Sequence, residues 1–373
     1  MAATGDRITK RKDGLFQGMY TVQTPDGPKR KYIYGRKYKD VQRKLSEALG
    51  DAARGIVFDD ENMTVGEWLS KWLEDSVEGN VGPGTYHQYR VHVRHHIIPT
   101  LGRVRLSRLT AAHIQSLYAQ KLRDGLAPAT VRLTHAVLHR ALDQAVKFNL
   151  LPSNPAERVD PPKIRQDEIK PLDSEQARAL LDAAKGDRLE ALFIVALTVG
   201  LRIGEALGLK WSDIDWDTGT LRVNRQLQRY TGKGLVFVEP KHSSRRTLTL
   251  PQSALMALRS HRKRQLEEQL RATDYEDSGL VFATQTGKPL DARNVANKHF
   301  KPLLKRAALP DIRFHDLRHT CATLLLSRGT HSKYVQELLG HKSIKLTLDR
   351  YSHWMPSMGR ATADGMDEPW ASE

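Results

Sequence analysis

The sequence has little cysteine, no long apolar run and a deficit of acidic residues, and each shortage excludes a class of protein. Cys321 is the only cysteine among 373 residues, so neither an intramolecular disulfide framework nor a Cys-x-x-Cys metal pair can form. No uninterrupted apolar stretch is long enough to span a bilayer, and no basic segment followed by an apolar one opens the chain. We therefore expect a cytoplasmic protein that makes no use of a membrane.

Positive charge is what the sequence has in excess. Lysine and arginine number 59 against 43 aspartate and glutamate residues, which gives a formal net charge of +16 at pH 7. Because this self-repulsion works against a compact chain, it is typical of proteins with a polyanionic partner, and nucleic acid is the first partner to test. The chain is 39% hydrophobic, so it can bury ordinary cores, and its length favours two or three domains.

The first segment, residues 1–55, combines dense positive charge with aromatic residues. Residues 19–24 and 31–34 have strand character, and the Asp26-Gly27 pair between them is a strong hairpin signal. A basic helix is expected from Lys39 to Leu49. We interpret this segment as a DNA-binding domain in which basic side chains of the small sheet contact phosphates. The residues expected to do so are Lys10, Arg11, Lys12, Lys29, Arg30 and Lys31.

The second segment, residues 63–155, is expected to be a domain of four helices. Its first helix carries an apolar stripe that includes Trp68 and Trp72, and these tryptophans are expected in the core. Arg90 and Arg94 lie on the polar face of the second helix, where we expect them to contact DNA. Prolines then punctuate residues 156–170, which indicates an extended linker.

The third segment, residues 171–373, mixes apolar helices with three short strands, returns to helices and ends in a tail. We expect a mainly helical α+β domain here. The predicted chain is therefore multidomain: a small N-terminal β-hairpin or sheet plus a helix, an all-α four-helix domain, and the α+β domain.

Four short stretches of the third segment carry residues suited to chemistry. In the first, Arg202 follows a glycine break in an apolar helical run and stands three residues before Glu205, the spacing of a same-face helical ion pair. The second, 240–246, contains Lys241 and is expected to be the basic tip of a hairpin between two strands. The third and fourth are His315-Asp316-Leu317-Arg318-His319 and Gly340-His341-Lys342-Ser343, and Tyr351 follows His341 by ten residues.

Together these residue types provide what phosphodiester transfer requires without a metal ion. Two guanidiniums can bind the non-bridging oxygens of a phosphate and stabilise its pentavalent transition state. Two imidazoles can add hydrogen bonds. A tyrosine hydroxyl can act as a covalent nucleophile if a nearby base or positive field eases its deprotonation, and a lysine can protonate the departing oxygen.

The order and spacing of the four stretches resemble the catalytic set of the tyrosine recombinases, including the lambda-type phage integrases. Arg202 in Gly-Leu-Arg-Ile-Gly-Glu matches the first catalytic arginine of the family, with Glu205 in support, and Lys241 matches the family's lysine. His315 and Arg318 match the paired histidine and second arginine. His341 matches the second histidine, and Tyr351 matches the nucleophile. The preceding helices resemble the family's core-binding domain, and the N-terminal hairpin resembles its arm-binding domain.

This resemblance implies a function and a set of partners. It implies a site-specific recombinase that forms a 3′-phosphotyrosine intermediate, pairs two attachment sites as a homotetramer and exchanges strands through a Holliday junction. The DNA partners are core-type and arm-type sites, and a host DNA-bending factor and a recombination directionality factor are expected. The resemblance implies no metal and no cofactor. It also implies that the C-terminal tail docks on a neighbouring protomer.

Three alternatives remain open at this point. A metal-dependent hydrolase would use His315, His319 and His341 as ligands, although Asp316 stands where a His-Glu-x-x-His site has its glutamate base. A non-catalytic DNA-binding regulator would explain the charge but not the arginines and the tyrosine. A type IB topoisomerase would share the phosphotyrosine chemistry.

Overall fold

The computed structural model describes residues 8–24, 27–53, 62–164, 170–240 and 244–354. The chain divides into two compact units, Met1–Gln166 and Asp167–Glu373. Each unit has its own secondary structure and its own buried cores.

The N-terminal part of the first unit is an antiparallel sheet with one helix packed on it. β2 (Phe16–Thr24) pairs with β3 (Gly27–Gly35) in the predicted hairpin, and β1 (Ile8–Lys10) adds a third strand at the β2 edge. The short β1 was not predicted because three residues are too few to show an alternating pattern. The predicted basic helix is α1 (Tyr38–Ala53), whose Val41 and Leu45 pack against the backbone of the sheet at Gly18.

The remainder of the first unit is helical, as predicted. Its first helix begins with a capping box in which Thr64 and Glu67 satisfy each other's backbone N–H groups. The tryptophans of this helix are buried, and Trp68 donates its indole N–H to the Ala141 carbonyl at 2.9 Å. The helices are α2 (Val65–Lys71) with a π-helical turn Trp72–Val77, α3 (Pro83–Val91) with a π-helical turn His92–Ile97, α4 (Ile98–Leu101), α5 (Ala111–Arg123) and α6 (Pro128–Lys147).

This helical core extends beyond the expected start of the linker at residue 156. Residues Pro155–Arg158 form a short 3₁₀ helix, and Ala156 and Val159 are buried in the same core as the tryptophans. The proline-rich stretch therefore stays attached to the core here, because Ala156 and Val159 both pack on it.

The second unit begins with three helices and five short strands. β5 (Thr220–Val223) pairs with both β4 (Ile214–Asp215) and β8 (Arg246–Thr249), whereas β7 (Gly234–Val238) pairs with β6 (Gln226–Tyr230). The expected turn around Lys241 therefore does not join a hairpin, because β7 and β8 belong to different sheets. The three helices are α7 (Ser174–Ala184), α8 (Glu190–Val199) and α9 (Ile203–Leu207).

Helices complete the second unit. Cys321 is buried, and burial raises the pKa of its thiol to about 12. No helix in the described part of the chain is long and apolar enough to cross a membrane. The helices are α10 (Gln252–Arg271), α11 (Ala292–Asn294) with a π-helical turn Val295–Phe300, α12 (Lys301–Arg306), α13 (Asp316–Ser327), α14 (Ser332–Leu339) and α15 (Ile344–Tyr351).

Candidate active site

Two helix ends define the centre of the candidate site. α8 ends at Gly200 with φ +65°, and α14 ends at Gly340 with φ +63°, so both terminate in the left-handed conformation that glycine adopts without strain. The two ends are in close contact, since a Cβ placed on Gly200 would lie 2.7 Å from Leu339 Cδ2. Carbonyl groups at such ends lack helical partners and carry partial negative charge, which favours nearby cations.

Arg318 bridges the two helix ends from α13. Its guanidinium donates to the Gly200 carbonyl at 2.8 Å and also to the Leu339 carbonyl. The side chain is almost fully buried, at 2% exposure. Burial and the positive charge of Arg202 lower the pKa of Arg318 to about 9, so the group is still a cation at neutral pH.

Arg202 lies at the N-terminus of α9, and its side chain reaches the end of α14. Its Nη1 donates to Glu205 Oε1 at 2.6 Å, which confirms the predicted ion pair at i, i+3 spacing. Its Nη2 donates to the Gly340 carbonyl at 3.4 Å. The side chain is 24% exposed, so this guanidinium keeps access to solvent and to a ligand.

A third arginine, Arg246 of β8, completes the arrangement. Its Nε donates to the Leu338 carbonyl at 2.8 Å, and its Nη2 donates to Glu205 Oε2 at 2.8 Å. Three successive carbonyls at the end of α14 therefore accept hydrogen bonds from three different arginines. The backbone of one helix end thus fixes where Arg202 and Arg318 stand relative to each other.

Glu205 is the buried anion that offsets this positive charge. Burial alone would raise the pKa of its carboxyl, but hydrogen bonds from Arg246 and the charges of Arg246 and Arg202 outweigh that effect and lower the pKa to about 2. The side chain is fully buried. A buried charge without a partner is destabilising. Loss of the Glu205 carboxylate would leave Arg202 and Arg246 without the anion that neutralises them.

We expect Glu205→Gln to destabilise the protein by about 3–5 kcal/mol at pH 7, because it removes one member of a buried charge network. The folded pKa of about 2 lies below the ordinary 4.5, so the stabilisation is complete above pH 4.5 and disappears as the pH falls toward 2. Urea unfolding of the wild type and the variant at several pH values measures this, and the gap between them should narrow on acidification.

Glu239→Gln is the matched control for that experiment. Glu239 pairs with Arg245 on the surface, where the two side chains are 67% and 59% exposed, so its loss should change stability by less than about 1 kcal/mol. A Glu205→Gln protein as stable as this control at pH 7 would contradict the assigned role of the buried carboxylate.

Tyr351 is fully buried at the end of α15 and lies between two histidines. Its hydroxyl is hydrogen-bonded to His319 Nδ1 at 2.6 Å. Its ring stacks nearly parallel to the His341 ring, with 6.4 Å between centroids and an interplanar angle of 8°. Burial raises the pKa of Tyr351 to about 12, and the charge of Arg318 opposes that rise.

The three histidines of the site are neutral at pH 7. Burial and the charge of Arg318 lower the pKa of His315 to about 4, although part of its ring reaches solvent. The same two causes lower the pKa of His341 to about 3, and burial with the charge of His315 lowers that of His319 to about 4. His341 Nδ1 is hydrogen-bonded to Thr347 Oγ1 at 2.8 Å. A neutral imidazole has one nitrogen that donates and one that accepts.

The structure brings most of the predicted site residues together. Around the ends of α8 and α14 it places Arg202, Glu205, His315, Arg318, His341 and Tyr351. Lys241, the remaining predicted site residue, lies outside the described residues.

Sequence reasoning missed two residues that belong to this cluster. Arg246 stands in a predicted basic stretch, but nothing local showed that it would reach a helix end 92 residues away. The sequence offers His319 only as a ligand in the metal-hydrolase alternative, and its contact with Tyr351 spans 32 residues. The useful signal for His319 was its i, i+4 spacing from His315, which places both on one face of a helix.

Comparison with known proteins identifies the family to which this arrangement belongs. Residues 170–357 match the phage integrase family, and residues 64–123 match the phage integrase N-terminal SAM-like domain. A tyrosine recombinase XerC-like protein of Caldanaerobacter subterraneus subsp. tengcongensis is 34% identical over 348 residues, which covers 88% of this chain and 88% of that protein. The integrase of Mycobacterium phage L5 is 28% identical and covers 82% of this chain and 79% of its own length.

Solved structures show the same fold. An integrase of the transposon Tn1549, determined in complex with transposon right-end DNA, is 25% identical, with a TM-score of 0.69 over 83% of this chain and all of that chain. A lambda integrase tetramer bound to a Holliday junction is 19% identical with a TM-score of 0.56, over 90% of this chain and 95% of that chain, and this likeness concerns the fold alone.

The chain belongs to the phage integrase family of tyrosine recombinases. It is a site-specific recombinase, and the regulator and topoisomerase alternatives are not favoured.

Proposed function

We propose that this recombinase cleaves and rejoins DNA with Tyr351 as nucleophile, and that Arg202 and Arg318 bind the scissile phosphate. The observation that carries the proposal is the convergence of both arginines on the end of α14, next to the ring that Tyr351 stacks against. Two guanidiniums held by fixed carbonyls are pre-organised to stabilise negative charge that develops on a phosphate.

The cleavage step then follows from the chemistry of these groups. Tyr351 Oη forms a bond to phosphorus while the bond from phosphorus to the 5′ oxygen breaks, which leaves a 3′-phosphotyrosine. His315 and His341 donate hydrogen bonds to the non-bridging oxygens. We assign protonation of the departing 5′ oxygen to Lys241, on the strength of its place in the sequence motif. Rejoining is the reverse step, with a 5′ hydroxyl as the attacking group.

A covalent-adduct assay in a chelator tests this proposal. The substrate is a nicked suicide duplex from the attachment DNA that flanks the gene, and the buffer contains excess EDTA. A covalent protein–DNA band of undiminished intensity is expected, because we assign every charge-stabilising role to a side chain and propose no cofactor. Loss of the band in EDTA and its return with a divalent cation would contradict the proposal.

We further propose that different domains of the chain bind different DNA sites. Residues 1–55 bind arm-type sites, residues 63–155 and 171–373 bind the core site from two sides, and residues 156–170 link them. Arg94 is exposed and Arg90 half-buried on the second helix of the four-helix part, in support of a role for both at the core site. Because its proposed substrate includes host DNA, we propose that the protein acts in the bacterial cytoplasm.

One face of the N-terminal sheet carries exposed basic and aromatic side chains and is not covered by any element of the described residues. The register places Gly18 and Lys31 on the side that α1 covers, and Arg30, Tyr32 and Tyr34 on the opposite side, where all three are exposed. The proposed DNA-contacting residues Lys10, Arg11 and Lys12 are exposed as well, whereas the side chain of Lys29 lies outside the described set. Arg11 lies over the Tyr34 ring at 5.3 Å, so basic and aromatic groups share this open face.

We expect Arg30→Ala to weaken binding of the full-length protein to arm-type DNA and to lower the slope of log affinity against log salt by about 1, as loss of one phosphate contact does. Lys44→Ala, an exposed change on α1, is the matched control and should leave both quantities unchanged. Cleavage of an isolated core site should be the same in both variants. Equal arm-site affinity and salt dependence in Arg30→Ala and the wild type would refute the role of this face.

Recombination by this chain is proposed to require assembly. Four protomers pair two attachment sites and exchange strands in two rounds through a Holliday junction, with a host DNA-bending factor and a directionality factor as further partners. The tail proposed to dock on a neighbouring protomer, residues 355–373, lies outside the described residues. The proposal rests on membership of the family and on the phosphotyrosine chemistry, which stores the energy of the broken strand.

A further inference from the structure

His319 is the side chain that contacts the hydroxyl of the proposed nucleophile. Its Nδ1 lies 2.6 Å from Tyr351 Oη, within the range of a strong hydrogen bond. Both side chains are buried, at 3% and 0% exposure, so water does not compete for this contact. The pair joins α13, which also carries Arg318, to α15, which ends at Tyr351.

The direction of the hydrogen bond follows from the protonation states. The pKa of Tyr351 is raised to about 12 by burial, so the phenol carries its proton at pH 7. The pKa of His319 is lowered to about 4 by burial and by His315, so the imidazole is neutral. Tyr351 therefore donates, Nδ1 accepts, and the imidazole proton resides on Nε2.

We infer that His319 is the general base that accepts the proton of Tyr351 during strand cleavage. This inference deepens the proposed function and rests on it. As the bond from Oη to phosphorus forms, the phenolic proton moves to His319 Nδ1, and the 5′ oxygen leaves with a proton from Lys241. In the rejoining step His319 returns its proton to Oη. Atoms and charges balance in both directions, and the geometry is that of a nucleophile within hydrogen-bond reach of its base.

The other histidines of the site are placed differently. The Nδ1 of His341 is engaged with Thr347, and its ring faces Tyr351 in parallel, an orientation that does not point a nitrogen at Oη. His315 meets His319 edge to face, with 5.0 Å between centroids, and is the exposed member of the pair. These positions fit contacts to the phosphate, whereas His319 fits a contact to the nucleophile.

Charged groups around His319 favour its neutral form before DNA arrives. Arg350 of α15 and Arg313, which precedes α13, add positive charge, as does His315 when protonated, and Asp316 opposes them. A DNA phosphate bound beside Arg318 would add negative charge and so ease protonation of His319 during the reaction. Tyr351 is fully buried, so cleavage rates measured in the DNA complex report whether the His319–Tyr351 pair acts on a bound phosphate.

The test is single-turnover cleavage of the nicked suicide substrate by the full-length protein at saturating concentration. His319→Gln keeps an acceptor for the Tyr351 hydrogen bond but cannot take its proton, and we expect cleavage to slow roughly 10²–10³-fold with half-site affinity unchanged. His353→Gln is the matched control, because His353 is two residues from Tyr351 and packs on Trp354. It should cleave like the wild type.

A second variant separates chemistry from folding. In His319→Gly, added imidazole should restore cleavage, and the rescued rate should rise with pH in step with the neutral fraction of the added imidazole. A role in packing alone predicts no such pH dependence. Wild-type cleavage by His319→Gln, or faster cleavage, would overturn the inference, as would slow cleavage without imidazole rescue. Absence of an adduct from the wild-type protein would instead overturn the proposed function.

Discussion

Tyr351→Phe should abolish the covalent protein–DNA adduct while leaving DNA binding intact. The substitution removes one oxygen from a fully buried side chain, and the ring can still stack on His341 and pack against Trp354. The change in adduct yield should be complete within detection, because no other group in the proposed mechanism forms the bond to phosphorus. Denaturing gels of the nicked suicide substrate measure the adduct, and native gels measure half-site binding.

Tyr334→Phe is the matched control for this experiment. Tyr334 is 49% exposed on α14 and lies outside the proposed catalytic set, so its variant should form adduct at the wild-type rate. A trapped adduct in Tyr351→Phe would show that another residue attacks the phosphate. Loss of half-site binding in Tyr351→Phe would show that the hydroxyl supports structure and not only chemistry.

The second large effect concerns the arginines. Arg318→Ala and Arg202→Ala should each slow cleavage by two to three powers of ten or more, since each removes a fixed donor to the charged transition state. Arg318→Ala should also lower stability, because it leaves the buried carbonyls of Gly200 and Leu339 without their partner. Arg245→Ala, an exposed arginine next to Arg246, should change neither quantity.

A substrate with sulfur in place of the departing 5′ oxygen separates the arginines from the lysine. A thiolate leaves without protonation, so this substrate should restore much of the activity of Lys241→Ala and little of that of Arg202→Ala or Arg318→Ala. Single-turnover rates on the two substrates give the comparison. Rescue of Arg202→Ala together with no rescue of Lys241→Ala would reverse the assignment of proton donor and phosphate-binding residues.

Local features of the site could be predicted from the sequence because they depend on spacing. The Arg202–Glu205 pair is an i, i+3 contact, and the end of α14 at Gly340 is a glycine stop. The order of the motifs was enough for the family resemblance, since each motif is a short local segment. The helical part of the first unit was predictable for the same reason, through its apolar stripe around Trp68 and Trp72.

Contacts between distant segments could not be predicted in this way. The convergence of Arg246 and Arg318 on the end of α14 depends on how three elements pack, and no periodicity encodes that packing. The same limit explains the incorrect hairpin around Lys241. Turn signals indicate that two strands follow each other, but which strands pair is decided by long-range packing, which here joins β7 to β6 and β8 to β5.

The measurement that tests the central claim most directly is tandem mass spectrometry of the trapped wild-type adduct. The suicide-substrate complex is digested with protease and nuclease, and the peptide that retains a nucleotide is sequenced. With a protease that cleaves after lysine alone, the predicted result is a phosphodiester-linked nucleotide on Tyr351 in the peptide that begins after Lys345. A nucleotide on any other residue, or a cleaved strand with no peptide attached, would contradict the assignment of Tyr351 as the nucleophile of this recombinase.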